Sequence, residues 1–270
     1  DPDYRHLGLG PMLVREVSRD FEITLALGAN EEARDILHRM GWTDFNMLSR
    51  YVCALDIEQA CRLTETGTFQ WPLPVPSSSL TAATDGITVT RVEAFSSDAE
   101  LLWDRLRGSD PQLAGTRRTS AYLNWRYAEH PQFEYRMFAA RTGEELVGFA
   151  VYRLEQARGC DLRVGRLVEL VAEPEVEDRL LRSVLEDARN DRAVAIDFFC
   201  GSERFASMLS EHGFLPGDHP CAQQVPMLYQ PIDRRRAGIR FLADLRNLPE
   251  AETVKDWYVT KSDGDQDRPN

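Results

Sequence analysis

Among the 270 residues of this chain, the types and spacing best suited to chemistry stand at its start, Asp1-Pro2-Asp3-Tyr4-Arg5-His6-Leu7-Gly8-Leu9-Gly10-Pro11-Met12-Leu13. Glycine at 8 and 10 lacks the Cβ that keeps a ligand from the main chain, and it accepts dihedrals that turn successive N–H groups inward. An amphipathic helix is expected over 12–20, with Pro11 in its first turn, where the missing donor costs no helix bond. A helix N-terminus carries unpaired N–H groups and a partial positive charge, so the stretch suits a phosphate or diphosphate. Arg5 adds a mobile cation at the mouth. A tight turn before a surface helix is the other reading of the same glycines. Pro11 also leaves such a cradle one donor short.

Other reactive residue types are scattered. The five cysteines, at 53, 61, 160, 200 and 221, form no CxxC pair and no metal-ligand spacing with the five histidines. They read as reduced, mostly buried thiols of a cytoplasmic protein without a metal. Asp263-Gly264-Asp265-Gln266-Asp267 has alternating carboxylates, but it lacks the glycine and distal Glu of a calcium loop and reads as a disordered polar tail. Arg234-Arg235-Arg236 reads as a solvated face. Tyr122, Trp125 and Tyr127 stand at helical spacing, either as core or as the lining of an acceptor cleft. His130, His212 and His219 have no evident partner and read as core or surface. A net charge of −12 argues against a nucleic-acid surface, which needs a basic face, and favours a cationic or neutral acceptor. No apolar run approaches the ~20 residues of a membrane helix.

The elements that must position these residues follow from periodicity and punctuation. Residues 21–27 alternate as a strand and end at Gly28. Asn30 caps a helix over 31–40 with Ala33, Ile36, Leu37 and Met40 on one face, and Gly41 ends it. Residues 45–55 form another apolar, β-prone run. Three prolines and a serine run make 62–85 a linker. Beyond it, Ile87-Thr88-Val89-Thr90-Arg91-Val92 alternates as a strand, and Ser97-Asp98-Ala99-Glu100 has capping-box form before a helix to 107. Thr119 or Ser120 caps a helix through 127. Strands are expected over 134–140, 146–154 and 162–171, then a helix over 175–189, a strand over 193–200, a helix over 202–211 and a strand over 222–229.

An internal repeat runs through this order. Ile23 through Met40-Gly41-Trp42 lines up with Ile196 through Gly213-Phe214, which sets Gly41 against Gly213, 172 positions apart. Leu13-Val14-Arg15 instead matches Leu180-Leu181-Arg182 at an offset of 167, so the second copy has lost five residues, the ones that hold the glycines. Glu173-Pro174-Glu175-Val176-Glu177-Asp178 stands there. Its four carboxylates suit a helix dipole and repel a phosphate.

Arg5-His6-Leu7-Gly8-Leu9-Gly10 resembles the Arg/Gln-x-x-Gly-x-Gly/Ala loop of the GNAT acyltransferases. Gly28-Ala29-Asn30 and Met40-Gly41-Trp42 resemble that family's next segment. Tyr122-Leu123-Asn124-Trp125-Arg126-Tyr127 and the tail look like tandem GNAT proteins of bacterial polysaccharide gene clusters. The resemblance implies an α/β (α+β) tandem GNAT-like fold, with mixed central sheets flanked by helices. Its first copy is incomplete, because the chain starts inside a domain and is expected to be N-terminally truncated. The expected division is 1–61 as half of an acyl-CoA-binding domain, 62–85 as linker, 86–232 as a second domain with a degenerate phosphate loop, and 233–270 as an extension and polar tail.

The implied reaction moves an acyl group, acetyl foremost, from acetyl-CoA or another acyl-CoA to an amine or hydroxyl of a small metabolite or sugar. Arg5, His6, Leu7, Gly8, Leu9, Gly10 and Asn30 would hold the donor, with Asn30 at the pantetheine or as a plain cap. Direct transfer needs a neutral acceptor, a hydrogen-bonded oxyanion and a protonated leaving thiolate. The family's usual acid is a Tyr, and here Leu37 and Leu209 occupy its positions, so the acid is unassigned. His38 lies about 100° round the helix and reads as surface. Tyr4 as an acid has no support. Two other readings stand: a non-catalytic GNAT-fold module, and an aminoacyl-tRNA-dependent transferase, against which the acidic charge counts.

Overall fold

The computed structural model describes residues 8–65, 67, 70–72, 86–233, 238–254 and 256–267. Arg5, His6 and Leu7, most of the proline- and serine-rich stretch and the Arg234-Arg235-Arg236 cluster lie outside them. Helix α1 (Leu9–Ser18) begins three residues before the expected start, because Gly8 takes a left-handed cap (φ 65°) and Gly10 and Pro11 fall in the first turn. Strand β1 (Thr24–Leu27), helix α2 (Glu31–Arg39), and strands β2 (Thr43–Met47) and β3 (Ser49–Ala54) follow. The run expected as one strand over 45–55 is thus two. Asn46 adopts a positive φ of 67°, and the Leu48 N–H is diverted to the Ile239 carbonyl at 2.9 Å. Asp56 caps the short α3 (Ile57–Ala60) by accepting from the Gln59 N–H.

Strand β4 (Ile87–Val92) and helix α4 (Asp98–Ser109) come next. The expected capping box does not form: Ser97 is itself helical (φ −60°) and makes no side-chain cap, while Glu100 accepts from the Ser120 N–H and hydroxyl. After β5 (Leu113–Ala114), Thr119 caps α5 (Ser120–Leu123), which widens into a π turn over Asn124–Ala128. Then come β6 (Tyr135–Thr142), β7 (Glu145–Gln156), β8 (Arg163–Ala172), α6 (Pro174–Asn190), β9 (Ala193–Cys200), α7 (Ala206–Glu211) and β10 (Phe214–Pro216). The strand expected over 222–229 is a 3-10 turn at Ala222–Gln224 and a two-residue β11 (Leu228–Tyr229) paired with β12 (Ile232–Asp233). Pro226, without an N–H, interrupts any longer ladder. Strands β13 (Arg240–Asp244) and β14 (Asp256–Trp257) close the order.

Two sheets organise the molecule, one in the order β10-β3-β9-β8-β7-β6-β4 and one in the order β1-β13-β2. Strand β3 lies antiparallel between β9 and β10, and β13 lies antiparallel between β1 and β2. The segments β1–α2–β2 and β9–α7–β10 therefore have one arrangement, each opened by a strand from elsewhere in the chain. Gly41 (φ 88°) and Gly213 (φ 81°) occupy matching left-handed positions between helix and second strand. Residues 49–54 follow the small sheet in sequence yet complete the large one. Residues 240–244 follow the large sheet and complete the small one.

The main core lies where α4 and α6 cover the large sheet, with Leu102, Trp103, Leu180, Leu181, Phe149 and Val151 all buried. The C-terminal residues are not the disordered tail their polarity suggests. Residues 256–263 cross the molecule, and Tyr258, Val259, Thr260, Lys261, Ser262 and Asp267 are buried. Gly115 makes room for this crossing, since a Cβ there would stand 2.4 Å from the Tyr258 carbonyl oxygen. Gly115→Ala is expected to lower stability by about 1–3 kcal/mol, the cost of overpacking an interior against main chain, read as a lower urea midpoint at unchanged slope. Two cysteines, Cys53 and Cys200, are buried, and the other three are half-exposed rather than mostly buried. Among the described residues no helix is long and apolar enough to cross a membrane.

Candidate functional site

At the N-terminus of α1, the first turn contains no acidic residue. The Met12 N–H already turns back to the Gly8 carbonyl at 3.2 Å, and Pro11 has no N–H to give. That leaves the Leu9 and Gly10 amides, which donate to no described residue, at the positive end of a ten-residue helix. A Cβ built at Gly8 or Gly10 would meet nothing within 4 Å, so the turn is open on its outer side. The described residues fit a diphosphate: two amides that donate to none of them, a helix dipole and no carboxylate in the first turn.

Asn30 follows β1 and caps α2, its Oδ1 accepting from the Ala33 N–H at 2.8 Å. The side chain is exposed, and its amide nitrogen donates to no described residue. Leu37 is buried against Trp42 and Leu242, and Leu209 is wholly buried, so neither position faces a cleft. His38 is exposed and sits 3.4 Å from Asp44, an ion-pair partner the sequence did not reveal. Phe133 stacks on His130, and His212 is buried 2.6 Å from Asp178.

The corresponding helix start in the large-sheet half is closed. Glu173 stands at the N-cap position of α6 without a side-chain cap bond, and Pro174 takes the first helical position. Glu173 accepts from Arg105 at 3.1 Å, Glu177 pairs with Arg204, and Asp178 holds Arg182 at 2.8 Å as well as His212. Three of the four carboxylates expected to repel phosphate, Glu173, Glu177 and Asp178, are thus tied into ion pairs.

Sequence reasoning missed a buried ionic cluster where residues 258–267 meet β7, β8 and β9. Arg118, wholly buried, donates from Nε to Glu169 at 3.1 Å and from Nη1 and Nη2 to the two carboxylate oxygens of Asp263, each at 2.8 Å. Arg153 reaches Asp267 at 3.2 Å. Lys261 lies 3.7 Å from Asp197 and 3.5 Å from Asp267, and Arg166 lies 3.1 Å from Asp197. The one local signal was charge inside otherwise apolar strands: Arg153, Glu155, Arg166, Glu169 and Asp197. The Tyr127 hydroxyl donates to Glu169 at 2.8 Å and lies 2.7 Å from the Ser262 hydroxyl, and Arg126 donates to the Ser262 carbonyl at 3.1 Å. The aromatic helix and the C-terminal stretch therefore meet. Tyr127 is core, and Trp125 faces solvent.

Burial works against the charges of Asp197 and Asp267. Arg166 and Lys261 around Asp197, and Lys261 and Arg153 around Asp267, outweigh it and hold both below the usual carboxylate range. Burial dominates at Glu169, whose carboxyl is raised despite Arg118. Burial, with Arg166 adding to it, brings the Lys261 ammonium down to about 8. A depressed carboxylate contributes stability above its unfolded pKa, about 3.9 for Asp, and loses it as pH falls toward the folded value. Asp267→Asn is therefore expected to lower the urea midpoint at pH 7, and the difference from the parent protein should shrink as pH falls below the usual Asp range.

No family model matches the sequence, and no curated protein does. Among solved structures, the chain is similar to a GCN5-related N-acetyltransferase from Anabaena variabilis, at 11% identity and a TM-score of 0.50, over 90% of this chain and 52% of that one. It is equally similar to a conserved protein of unknown function from Enterococcus faecalis, described as a probable N-acyltransferase, at 11% identity and a TM-score of 0.50, over 90% and 51%. The chain spans about half the length of each. It has the mixed α/β fold of GCN5-related N-acetyltransferases, a several-stranded mixed sheet flanked by helices.

Proposed function

We propose that the protein is an acyltransferase that takes an acyl group, acetyl foremost, from acyl-CoA and passes it directly to an amine or hydroxyl of a small metabolite or sugar. The observation that carries this reading is the pair of amides, Leu9 and Gly10, which donate to no described residue at a helix N-terminus whose first turn has no acidic residue. There the donor's diphosphate is held by main-chain N–H groups, with Arg5, His6 and Leu7 leading into the turn and Asn30 offering its amide to the pantetheine arm. Two copies of one unit make up the chain in this reading: residues 1–61 with the donor site, and 86–232 without one. The repeated strand–helix–strand order, each copy completed by a strand next to the other in sequence, supports it. The place of work is the cytoplasm.

What the donor supplies is an activated thioester. The chain's part is to anchor the diphosphate, fix the arm and bring a neutral acceptor to the carbonyl. The burial of Leu37 and Leu209 favours a second reading, a non-catalytic module that binds acyl-CoA or another ligand without turnover. Titration calorimetry with acetyl-CoA, followed by thiol-release assays over a panel of amines and amino sugars, separates the two. One molecule of acetyl-CoA bound per chain and thiol release with at least one acceptor are expected. Binding without release selects the module, and absence of binding overturns both the donor site and the transferase.

A further inference from the structure

We infer that residues 257–263 are a built-in occupant of the opening between β8 and β9, which closes that opening to any other ligand for as long as the chain is folded. The two strands pair in parallel from Arg163↔Ala193 to Leu167↔Phe198 and no further. Strand β8 runs on to Ala172 and β9 to Cys200, and the ladder between β7 and β8 shifts register beside Val168. Diverging strands leave main-chain groups without a ladder partner, and such groups must find an acceptor, a donor or water.

Here the chain itself supplies the partners. The Leu170 N–H donates to the Tyr258 hydroxyl at 2.9 Å, and the Gly201 N–H donates to the Val259 carbonyl at 2.8 Å. The Ser262 hydroxyl donates to the Val168 carbonyl at 3.3 Å, and Thr260 bridges to Cys200. Tyr258 packs against Trp103 and Phe205, with centroids 5.9 and 6.0 Å away. The walls are cut to this shape. A Cβ at Gly201 would stand 2.7 Å from the Trp257 carbonyl, as one at Gly115 would crowd Tyr258.

Charge makes the closure permanent rather than a gate. Withdrawing the segment would strip Asp263 from Arg118 and Lys261 from Asp197, each wholly buried, and an uncompensated buried charge is strongly unfavourable. No opening ligand short of one carrying the same charges would restore them. The large-sheet half therefore serves as a scaffold. The same segment continues to the other half, where Gln266 Nε2 donates to the Leu27 carbonyl at 3.3 Å, at the end of β1.

The inference does not depend on acyl-CoA binding, and its test has two arms. Native-state hydrogen exchange should show the Leu170, Gly201 and Thr260 amides opening only with global unfolding, so that saturating acetyl-CoA slows them by the same factor as the slowest core amides. In Thr260→Cys, oxidation should join residue 260 to Cys200. The locked and reduced forms should then bind acetyl-CoA and release thiol equally, within about twofold. Sub-global exchange of these amides, faster exchange on adding acetyl-CoA, or a tenfold loss on locking that reduction reverses would each overturn it. If no form binds acetyl-CoA, the donor site fails and exchange alone decides. If Thr260→Cys does not fold, exchange on the parent protein decides.

Discussion

Arg118→Ala unfolds at a much lower urea concentration than the parent protein, with a loss of about 3–5 kcal/mol, the cost of breaking a buried ion pair from one side. The guanidinium is fully buried and has three partners: Glu169, both carboxylate oxygens of Asp263, and the Thr116 carbonyl at 2.8 Å. It also lies 5.0 Å from the Tyr258 ring centroid. Alanine leaves two carboxylates in the interior without their cation, and Glu169 is already raised by burial. Arg118→Lys is expected to recover only part of the loss, because an ammonium cannot make the bidentate contact. The neighbouring Arg117 is the internal control. It pairs with Asp104 at the surface, with both side chains at least half exposed, so Arg117→Ala should cost no more than about 1 kcal/mol. Equal midpoints for the two alanine variants would show that the buried network contributes little.

Gly10→Asp is expected to separate two effects of opposite sign. Residue 10 is in the first turn of α1 with open space where a side chain would go. A carboxylate there favours the helix dipole by about 0.3–1 kcal/mol, and replacing a helical glycine adds about 0.5–1 kcal/mol. Thermal stability should hold or rise. The same charge faces a diphosphate at contact range, a repulsion of about 1.5–3 kcal/mol after screening, or roughly 10–100-fold in acetyl-CoA affinity. Gly10→Asn carries the shape without the charge and should bind within about threefold of the parent. If the Asp variant binds as tightly as the Asn variant, the diphosphate does not sit at α1.

Much of the fold was legible because the responsible forces are local. Alternation marked β4 to the residue, the strand expected over 193–200 is β9, the helix expected over 175–189 is α6 within a residue at each end, and Asn30 capped α2 through a bond to a residue three positions away. The glycines at 8 and 10 were legible as lying beside a helix start, although Gly10 falls inside α1 rather than in a loop before it. The break between β2 and β3 was not. An apolar run of eleven residues looks continuous until distant strands compete for its two ends, and the Ile239 carbonyl takes the N–H at the junction.

Sequence alone determined the type and order of most of the longer elements, the acid-free turn at α1 and the acidic turn at α6, since each depends on neighbours within a few positions. Tertiary structure alone decided which strands complete which sheet, and that the polar C-terminal stretch is interior. A carboxylate reads the same whether water or a guanidinium surrounds it. Asp263 and Arg118 stand 145 positions apart, and only the folded chain brings the compensating charge to hydrogen-bond distance. That pairing turns a stretch with the composition of a solvated tail into part of the core.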